Sequence, residues 1–182
     1  NPSGKLPFTF PARLEDNGAH ALGEHPGDSI NVKYNESIFV GYRWADKQKK
    51  TKPLFAFGHG LSYTTFAYGK ATATKKSLTA DETITFTVPV KNTGSREGSE
   101  VVQLYIGDKK SALPRPIKEL KGFSKVKLAP GEEKMVSFTI DKTDLSYYDD
   151  TQNSWVAEPG AFEAFVGASS ADIRSTVSFE LR

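Results

Sequence analysis

The chain has 182 residues, a formal net charge of +2 and no cysteine. The near-neutral charge gives no electrostatic reason to expect nucleic acid or an anionic membrane as a partner. The absence of cysteine excludes disulfides, thiolate metal sites and a cysteine nucleophile. The length is enough for one domain of roughly 100–150 residues and an additional segment, and 15 glycines and 10 prolines indicate many turns.

The first 65 residues show little periodicity. Leu6–Pro11 alternates apolar and polar residues but contains prolines, so it predicts one short edge strand. An irregular connection is predicted for residues 12–37, and a strand or one helical turn is predicted for Ile38–Trp44. An aperiodic segment of this length is unusual inside a compact domain. We therefore expect it to lie on the surface of a neighbouring domain.

From residue 66 the pattern changes to a period of two. Ile84, Phe86, Val88 and Val90 alternate with threonines, which predicts a half-buried strand. Pro89 indicates an edge or a bulge in that strand, because proline has no N–H. Further strands are predicted at Val101–Ile106, Leu120–Leu128, Met135–Ile140, Leu145–Tyr148, Ser154–Val156, Phe162–Gly167 and Thr176–Leu181. About seven strands with turn residues between them predict an all-β chain, an antiparallel β-sandwich of the immunoglobulin or fibronectin III type.

Four groups of residues carry a resemblance to a known family. They are Gly4–Pro11; Tyr34–Trp44 with Pro53–Phe66; Val90–Gly94 with Gly98–Tyr105; and Leu120–Phe123 through Leu128–Glu132, Leu145–Asp149 and Trp155–Phe162. Any one of these motifs alone is weak, but the ordered set is specific. It resembles the C-terminal part of bacterial β-glucosidases and β-xylosidases of glycoside hydrolase family 3, and the resemblance covers nearly the whole chain.

The resemblance implies two parts. Residues 1–65 would be the C-terminal tail of an α/β sandwich domain with its linker, and residues 66–182 a fibronectin III-like domain. The family's nucleophilic Asp lies in a barrel domain and its acid/base Glu lies earlier in the α/β domain, so no catalytic residue is carried over. We expect this chain alone to be inactive. The partners implied are the upstream catalytic domains and, through them, a carbohydrate substrate in the periplasm or outside the cell.

Paired acids are the residues that hydrolysis of a glycosidic bond would need. Asp149-Asp150 is the best local pair, but we expect both carboxylates to be ionised, solvated and used to form a turn. The other acids considered are predicted to lie on the solvated surface; they are Glu97, Glu100, Glu132 and Glu133.

Metal and nucleic-acid sites receive little support. His20 and His25 lie near Glu24 and Asp28, but a metal needs three or four convergent ligands, so an exposed loop is expected. Asp149, Asp150 and Asn153 lack the oxygen set of a calcium loop, and His59 between two glycines indicates a structural turn. The basic cluster is expected to be a solvated loop; it comprises Arg43, Lys47, Lys49, Lys50 and Lys52. No metal and no cofactor are predicted.

The favoured function is that of an accessory part which stabilises its parent enzyme. The aromatic side chains of residues 1–65 would then be covered by the missing domains or, in the isolated chain, fold back on the sandwich or pair with another copy. A carbohydrate-binding module is the first alternative, with Tyr147, Tyr148 and Trp155 as its platform, although we expect Trp155 to be partly in the core. A protein-interaction sandwich is the second alternative, and it would not explain the motifs Gly4–Pro11 and Pro53–Phe66.

Overall fold

A computed structural model of the chain describes residues 1–48 and 51–182. Its strands are β1 (Phe66–Tyr68), β2 (Thr72–Ala73), β3 (Ser77–Leu78), β4 (Ile84–Asn92), β5 (Gly98–Asp108), β6 (Glu119–Leu128), β7 (Glu133–Ile140), β8 (Tyr147–Asp149), β9 (Ser154–Val156), β10 (Gly160–Ser169) and β11 (Asp172–Leu181). Its helices are α1 (Gly18–Ala21), α2 (Tyr42–Lys47) and α3 (Lys142–Leu145), preceded by a 3-10 turn at Leu14–Asp16. The strands dominate, and the helices are short.

Two sheets form the body of the molecule. In the first, β4 pairs with β7 on one side and with β1 and β2 in succession on the other. The second has the order β3-β11-β10-β5-β6 and is antiparallel except for the short parallel pair of β3 with β11. A separate hairpin joins β8 to β9. The predicted all-β, antiparallel sandwich is thus confirmed.

The core lies between the two sheets and follows the predicted alternation. Along β4, Ile84, Phe86 and Val88 are fully buried while the threonines between them point outward. Phe86 contacts Phe179 of β11 with 5.2 Å between ring centroids. Since side chains on a strand alternate between faces, one residue in two from each sheet supplies a continuous apolar core.

Pro89 lies at an interruption of the ladder, not at the edge of the sheet. β1 pairs with residues 90–92 of β4 and β2 with residues 86–87, so the missing N–H of Pro89 falls between the two partner strands. The carbonyl of Pro89 still accepts a hydrogen bond from the N–H of Gly69, at 2.8 Å. The proline therefore removes no hydrogen bond from β4.

Residues 1–65 form an irregular layer on the sandwich. The edge strand predicted at Leu6–Pro11 is reduced to one bridge between Phe10 and Phe55. The run Ile38–Trp44 leads into α2, so the helical alternative was the right one of the two. Two lysines of the predicted basic loop, Lys49 and Lys50, lie outside the described residues. The division of the chain at residue 66 stays a prediction, although β1 begins at that residue.

Candidate functional site

The first junction between the N-terminal segment and the sandwich is built on Gly58. Its φ is +80°, and a Cβ placed on it would lie 2.2 Å from the amide oxygen of Gln103. The amide nitrogen of Gln103 donates to the carbonyls of Gly58 (3.2 Å) and Ala168 (2.8 Å), and its oxygen accepts from the hydroxyl of Tyr105 at 2.5 Å. Only glycine combines that backbone conformation with so close an approach.

A second junction joins α2 to β6. The hydroxyl of Tyr42 accepts a hydrogen bond from the backbone N–H of Leu120 at 2.9 Å. Asp46 forms an ion pair with Lys118 at 2.5 Å; burial raises the pKa of Asp46, and the ammonium of Lys118 opposes that shift. Two main-chain elements far apart in sequence are thereby held together by a hydroxyl and a charge pair.

Glu100 belongs to a third junction. It was expected on the solvated surface, but it is 7% exposed and pairs with Lys5 at 2.8 Å. The expectation was wrong because β5 continues through this residue and Lys5 of the N-terminal segment lies against it. The N-terminal segment is therefore held on the sandwich by ion pairs and hydrogen bonds.

The outer surface of the N-terminal segment is apolar. Of the 19 large apolar side chains exposed in the described residues, 13 belong to residues 1–65, and of the 21 buried hydrophobic residues only Trp44 does. Phe8, Phe10, Phe55 and His59 form a contiguous row with ring centroids 5.4, 6.3 and 5.2 Å apart. We call these four residues the aromatic strip. A monomeric domain rarely leaves such a surface uncovered.

A groove lies between the N-terminal segment and the loops of the sandwich. Its volume is about 940 Å³, near the upper end of the range of roughly 300–1,000 Å³ typical of ligand pockets. All three aromatic residues of the predicted carbohydrate platform line it: Tyr147, Tyr148 and Trp155. The opposite wall carries Phe39 and α2.

The β8–β9 hairpin arranges two of the three rings as a corner. Tyr148 and Trp155 are directly opposite in the hairpin, with centroids 5.7 Å apart and ring planes at 73°. Tyr147 is on the other face, and the guanidinium of Arg115 lies 5.4 Å from its ring centroid. The expectation that Trp155 is partly in the core was wrong, because its side chain is 69% exposed at a two-stranded hairpin.

Asp149 is a structural carboxylate. It is 6% exposed, contrary to the expectation of a solvated pair, whereas Asp150 beside it is exposed and lines the groove. Asp149 accepts hydrogen bonds from the hydroxyl of Thr151 at 2.6 Å and the amide of Gln152 at 2.6 Å. These hydrogen bonds lower the pKa of Asp149, and the bond from Thr151 has the largest effect. A general acid of a glycosidase needs a raised pKa, so Asp149 is suited to holding the turn.

Charged side chains join the two walls of the groove. Glu119 pairs with Arg43 of α2 at 2.9 Å and with Arg115 at 3.0 Å, and Arg115 also donates to the carbonyl of Leu145 at 2.9 Å. Glu119 thus bridges the N-terminal segment and the sandwich beside the groove.

Two polar groups of the groove lack partners. Glu36 is 8% exposed, and its Oε2 has no hydrogen-bond partner among residues 1–48 and 51–182. Lys121 forms no ion pair in the same part of the chain, since the carboxylate of Glu119 is shared by Arg43 and Arg115. Burial lowers the pKa of Lys121. Neither residue was a sequence candidate, since both lie in segments that sequence alone predicts as loop or strand surface.

The described part of the chain contains neither a cluster of metal-binding side chains nor a helix that could span a membrane. Within it, no group of three or more His, Asp or Glu side chains could hold a metal ion. His20 and His25 do approach each other, with centroids 4.6 Å apart, while Glu24 is hydrogen bonded to Asn35. No helix in these residues has the length and apolar character needed to cross a bilayer. The ring of His59 contacts that of Phe55 at a tilt of 33°, and the carbonyl of His59 accepts a hydrogen bond from the N–H of Leu6 at 2.9 Å.

Comparisons with known proteins agree on one origin for this architecture. A family profile described as a fibronectin type III-like domain matches residues 100–170. A β-glucosidase of Bacteroides ovatus is 55% identical over 181 residues, and the thermostable β-glucosidase B of Acetivibrio thermocellus is 49% identical over 173 residues. These matches cover 98% and 95% of this chain but 24% and 22% of the relatives, so the chain spans about a quarter of their length.

Solved structures give the same result for the fold. A GH3 β-glucosidase of Bifidobacterium adolescentis superposes with a TM-score of 0.90 at 37% identity, covering 99% of this chain and 26% of that one. A β-glucosidase of Streptomyces venezuelae in complex with D-glucose superposes with a TM-score of 0.90 at 39% identity, covering 100% of this chain and 23% of that one. The superpositions include the N-terminal segment as well as the sandwich.

Proposed function

Because this chain belongs to the C-terminal part of glycoside hydrolase family 3 β-glucosidases and carries their fibronectin type III-like domain, we propose that it stabilises such an enzyme by docking on the upstream catalytic domains. The aromatic strip is the observation that carries this proposal. The parent would hydrolyse O-glycosyl bonds of β-glucosides, and this chain would supply no catalytic group. Of its acids near the groove, Asp149 and Glu119 serve the structure.

The area that docking would hide is substantial. Phe10 is 45% exposed and Phe55 is 47% exposed. An aromatic side chain has roughly 150–250 Å² of surface, so each ring would hide about 100 Å² on docking. At about 25 cal/mol per Å² the two rings together stabilise the assembly by about 5 kcal/mol. This is comparable with the whole stability of a small domain, about 5–15 kcal/mol.

A chimaera tests the proposal. This chain replaces the matching region of the Bacteroides ovatus β-glucosidase, and hydrolysis of a nitrophenyl β-D-glucoside and the Tm are measured. We expect an active, cooperative enzyme. The double substitution Phe10→Ser with Phe55→Ser should lower the Tm by several degrees or more and reduce active yield, because serine removes the apolar surface that docks.

The matched control uses two side chains that are more exposed but belong to the sandwich. Phe123 is 71% exposed and Met135 is 61% exposed, and neither is in the aromatic strip. Phe123→Ser with Met135→Ser should leave the Tm of the chimaera close to that of the parent chimaera. Equal losses from the two double variants would show that the aromatic strip is not the docking surface.

Self-association of the isolated chain is part of the same proposal. With nothing upstream to cover it, the aromatic strip would be available to a second copy of the chain. Sedimentation velocity should then show a concentration-dependent dimer for the chain and a monomer for Phe10→Ser with Phe55→Ser. A monomer in both cases would limit the strip to contacts within the parent enzyme.

A further inference from the structure

The groove presents three requirements that a single ligand would have to meet. The buried Oε2 of Glu36 needs a hydrogen-bond donor, because no group in the described residues supplies one. Lys121 is a half-buried residue that forms no ion pair in the described part of the chain, so its ammonium is available to donate a hydrogen bond. A buried polar group without a partner is unfavourable, so a ligand gains by donating to Glu36, and it can accept from Lys121 at the same time. A hydroxyl is both donor and acceptor.

The third requirement is an apolar surface for the exposed rings. Cations already face two of the aromatic side chains in the groove: Lys47 lies 4.1 Å from the centroid of Phe39, and Arg115 faces Tyr147. Trp155, 69% exposed, has no such neighbour among the described residues. The electron-rich face of its indole attracts the weakly positive C–H groups of a saturated ring. Tyr148 closes the corner at 73° to it.

The charge of the groove favours a neutral ligand. Arg43 and Arg115 share Glu119, and Arg115 also pairs with Asp108 at 3.4 Å, so two carboxylates balance the two guanidinium groups. Lys121 faces a groove that also contains the carboxylates of Glu36 and Asp150. An anionic ligand would meet those two carboxylates, and a cationic one would meet the paired arginines and Lys121. Hydroxyl groups avoid both conflicts.

We propose that this groove binds a neutral pyranose unit of an oligosaccharide, stacked on Trp155 in the corner with Tyr148 and hydrogen bonded to Glu36 and Lys121. The site lies wholly within this chain and contains no catalytic pair, so it is a binding site. A pyranose has C–H groups on its faces and hydroxyls around its rim, which matches an aromatic corner rimmed by a carboxylate and an ammonium. The existence of this binding site does not depend on the docking proposal. Only the choice of a β-linked glucan as the probe rests on the proposed function.

The two tryptophans make a site-resolved test available. The indole N–H of Trp44 donates to the carbonyl of Asp16 at 3.0 Å and Trp44 is 7% exposed, whereas Trp155 is 69% exposed on the hairpin. The 182-residue chain, labelled with ¹⁵N, is titrated with cellotetraose up to about 20 mM. We expect the Trp155 indole signal to shift saturably with a Kd in the range of about 0.1–10 mM, while the Trp44 signal moves little.

Substitutions identify the contacts. Glu36→Gln and Lys121→Met each remove one polar partner and should weaken binding about 3–10-fold, the effect of losing one hydrogen bond. Trp155→Ala should weaken it about tenfold or more, read by calorimetry. Tyr63→Ala is the matched control, because Tyr63 is 69% exposed like Trp155 but lies outside the groove; its Kd should stay within about twofold of the original, close to the precision of such a measurement.

Two outcomes would overturn the proposal. A Trp155 signal that stays in place throughout the titration would leave the groove to the upstream domains as occupant. Equal weakening by Trp155→Ala and Tyr63→Ala would show general stickiness of exposed aromatics. Circular dichroism melting of each variant confirms that it is folded, and if Trp155→Ala does not fold, Lys121→Met decides the question. Neither outcome changes the result of the chimaera experiment, so the two proposals fail separately.

Discussion

Replacing Gly58 with alanine tests how the N-terminal segment is held on the sandwich. The backbone at Gly58 has φ +80°, and Gly131, in the turn before β7, has φ +76°. Alanine in this conformation costs about 1–2 kcal/mol, offset by about 0.4–1 kcal/mol because the unfolded chain loses freedom. Gly131→Ala meets no atom within 4 Å, so it should destabilise the chain by about 1 kcal/mol from backbone strain alone.

Gly58→Ala adds a collision with Gln103. The new Cβ would lie 2.2 Å from Oε1 and 2.6 Å from Nε2 of that amide. Gln103 is 3% exposed and its amide serves Gly58, Ala168 and Tyr105, so it has no free space to move into. Displacing it leaves one or two buried groups unpaired at about 1–3 kcal/mol each. The expected total is about 3–5 kcal/mol.

The assay is urea unfolding followed by two signals. All variants are made in a Trp155→Phe background, so that fluorescence comes from Trp44 alone and reports the N-terminal segment, while far-ultraviolet circular dichroism reports the sheets. Gly58→Ala should lose Trp44 fluorescence before the sheets unfold, whereas Gly131→Ala should shift both transitions together. In a Gln103→Ala background the effect of Gly58→Ala should fall to that of Gly131→Ala, since the collision is gone. Equal free energies of unfolding for Gly58→Ala and Gly131→Ala in the original chain would refute this account of the junction.

Three further predictions concern acid stability, the core and catalysis. Hydrogen bonds from the backbone of Thr79 and from Lys75 lower the pKa of Glu82 to about 2. The ionised carboxylate thus supports the fold above its ordinary pKa of 4.5, and this support is lost as the pH falls from 4.5 towards 2. Glu82→Gln should therefore flatten the fall of Tm over that interval, and an unchanged slope would contradict the assignment. Phe86→Ala should destabilise the chain by about 3–5 kcal/mol in urea unfolding, with Phe123→Ala as an exposed control within about 0.5 kcal/mol; similar values for both would mean that the core is elsewhere. The purified chain should show no turnover of nitrophenyl β-D-glucoside, and activity abolished by Asp149→Asn would contradict the structural role of that carboxylate.

The sandwich was predictable because the alternation of buried and exposed residues along a strand is visible in its local sequence. Ile84 to Val90 alternates in sequence and in burial alike, and so does β7. Strands β1 to β3 escaped prediction because two or three residues carry no period. The equally short β8 and β9 were predicted because they flank a polar turn. The parallel pairing of β3 with β11 is a contact across the chain that no local pattern reveals.

The site was predictable only in part. A neighbourhood of aromatic residues around Asp149 was visible in the sequence, and the hairpin does bring Tyr148 and Trp155 together. Whether a tryptophan on a short strand faces the core or solvent depends on what covers that strand, so the exposure of Trp155 could not be predicted. Glu36 and Lys121 enter the groove through packing of residues 1–65 on the sandwich, a long-range event.

Hydrogen–deuterium exchange offers the most direct test of the docking surface. Exchange is measured on the isolated 182-residue chain and on the same chain within the Bacteroides ovatus chimaera. The account predicts slower exchange in the chimaera for residues 5–14 and 54–63, which carry the aromatic strip, and little change in β4 and β7. Unchanged exchange in both of those segments, with new protection appearing on the sheets instead, would contradict it.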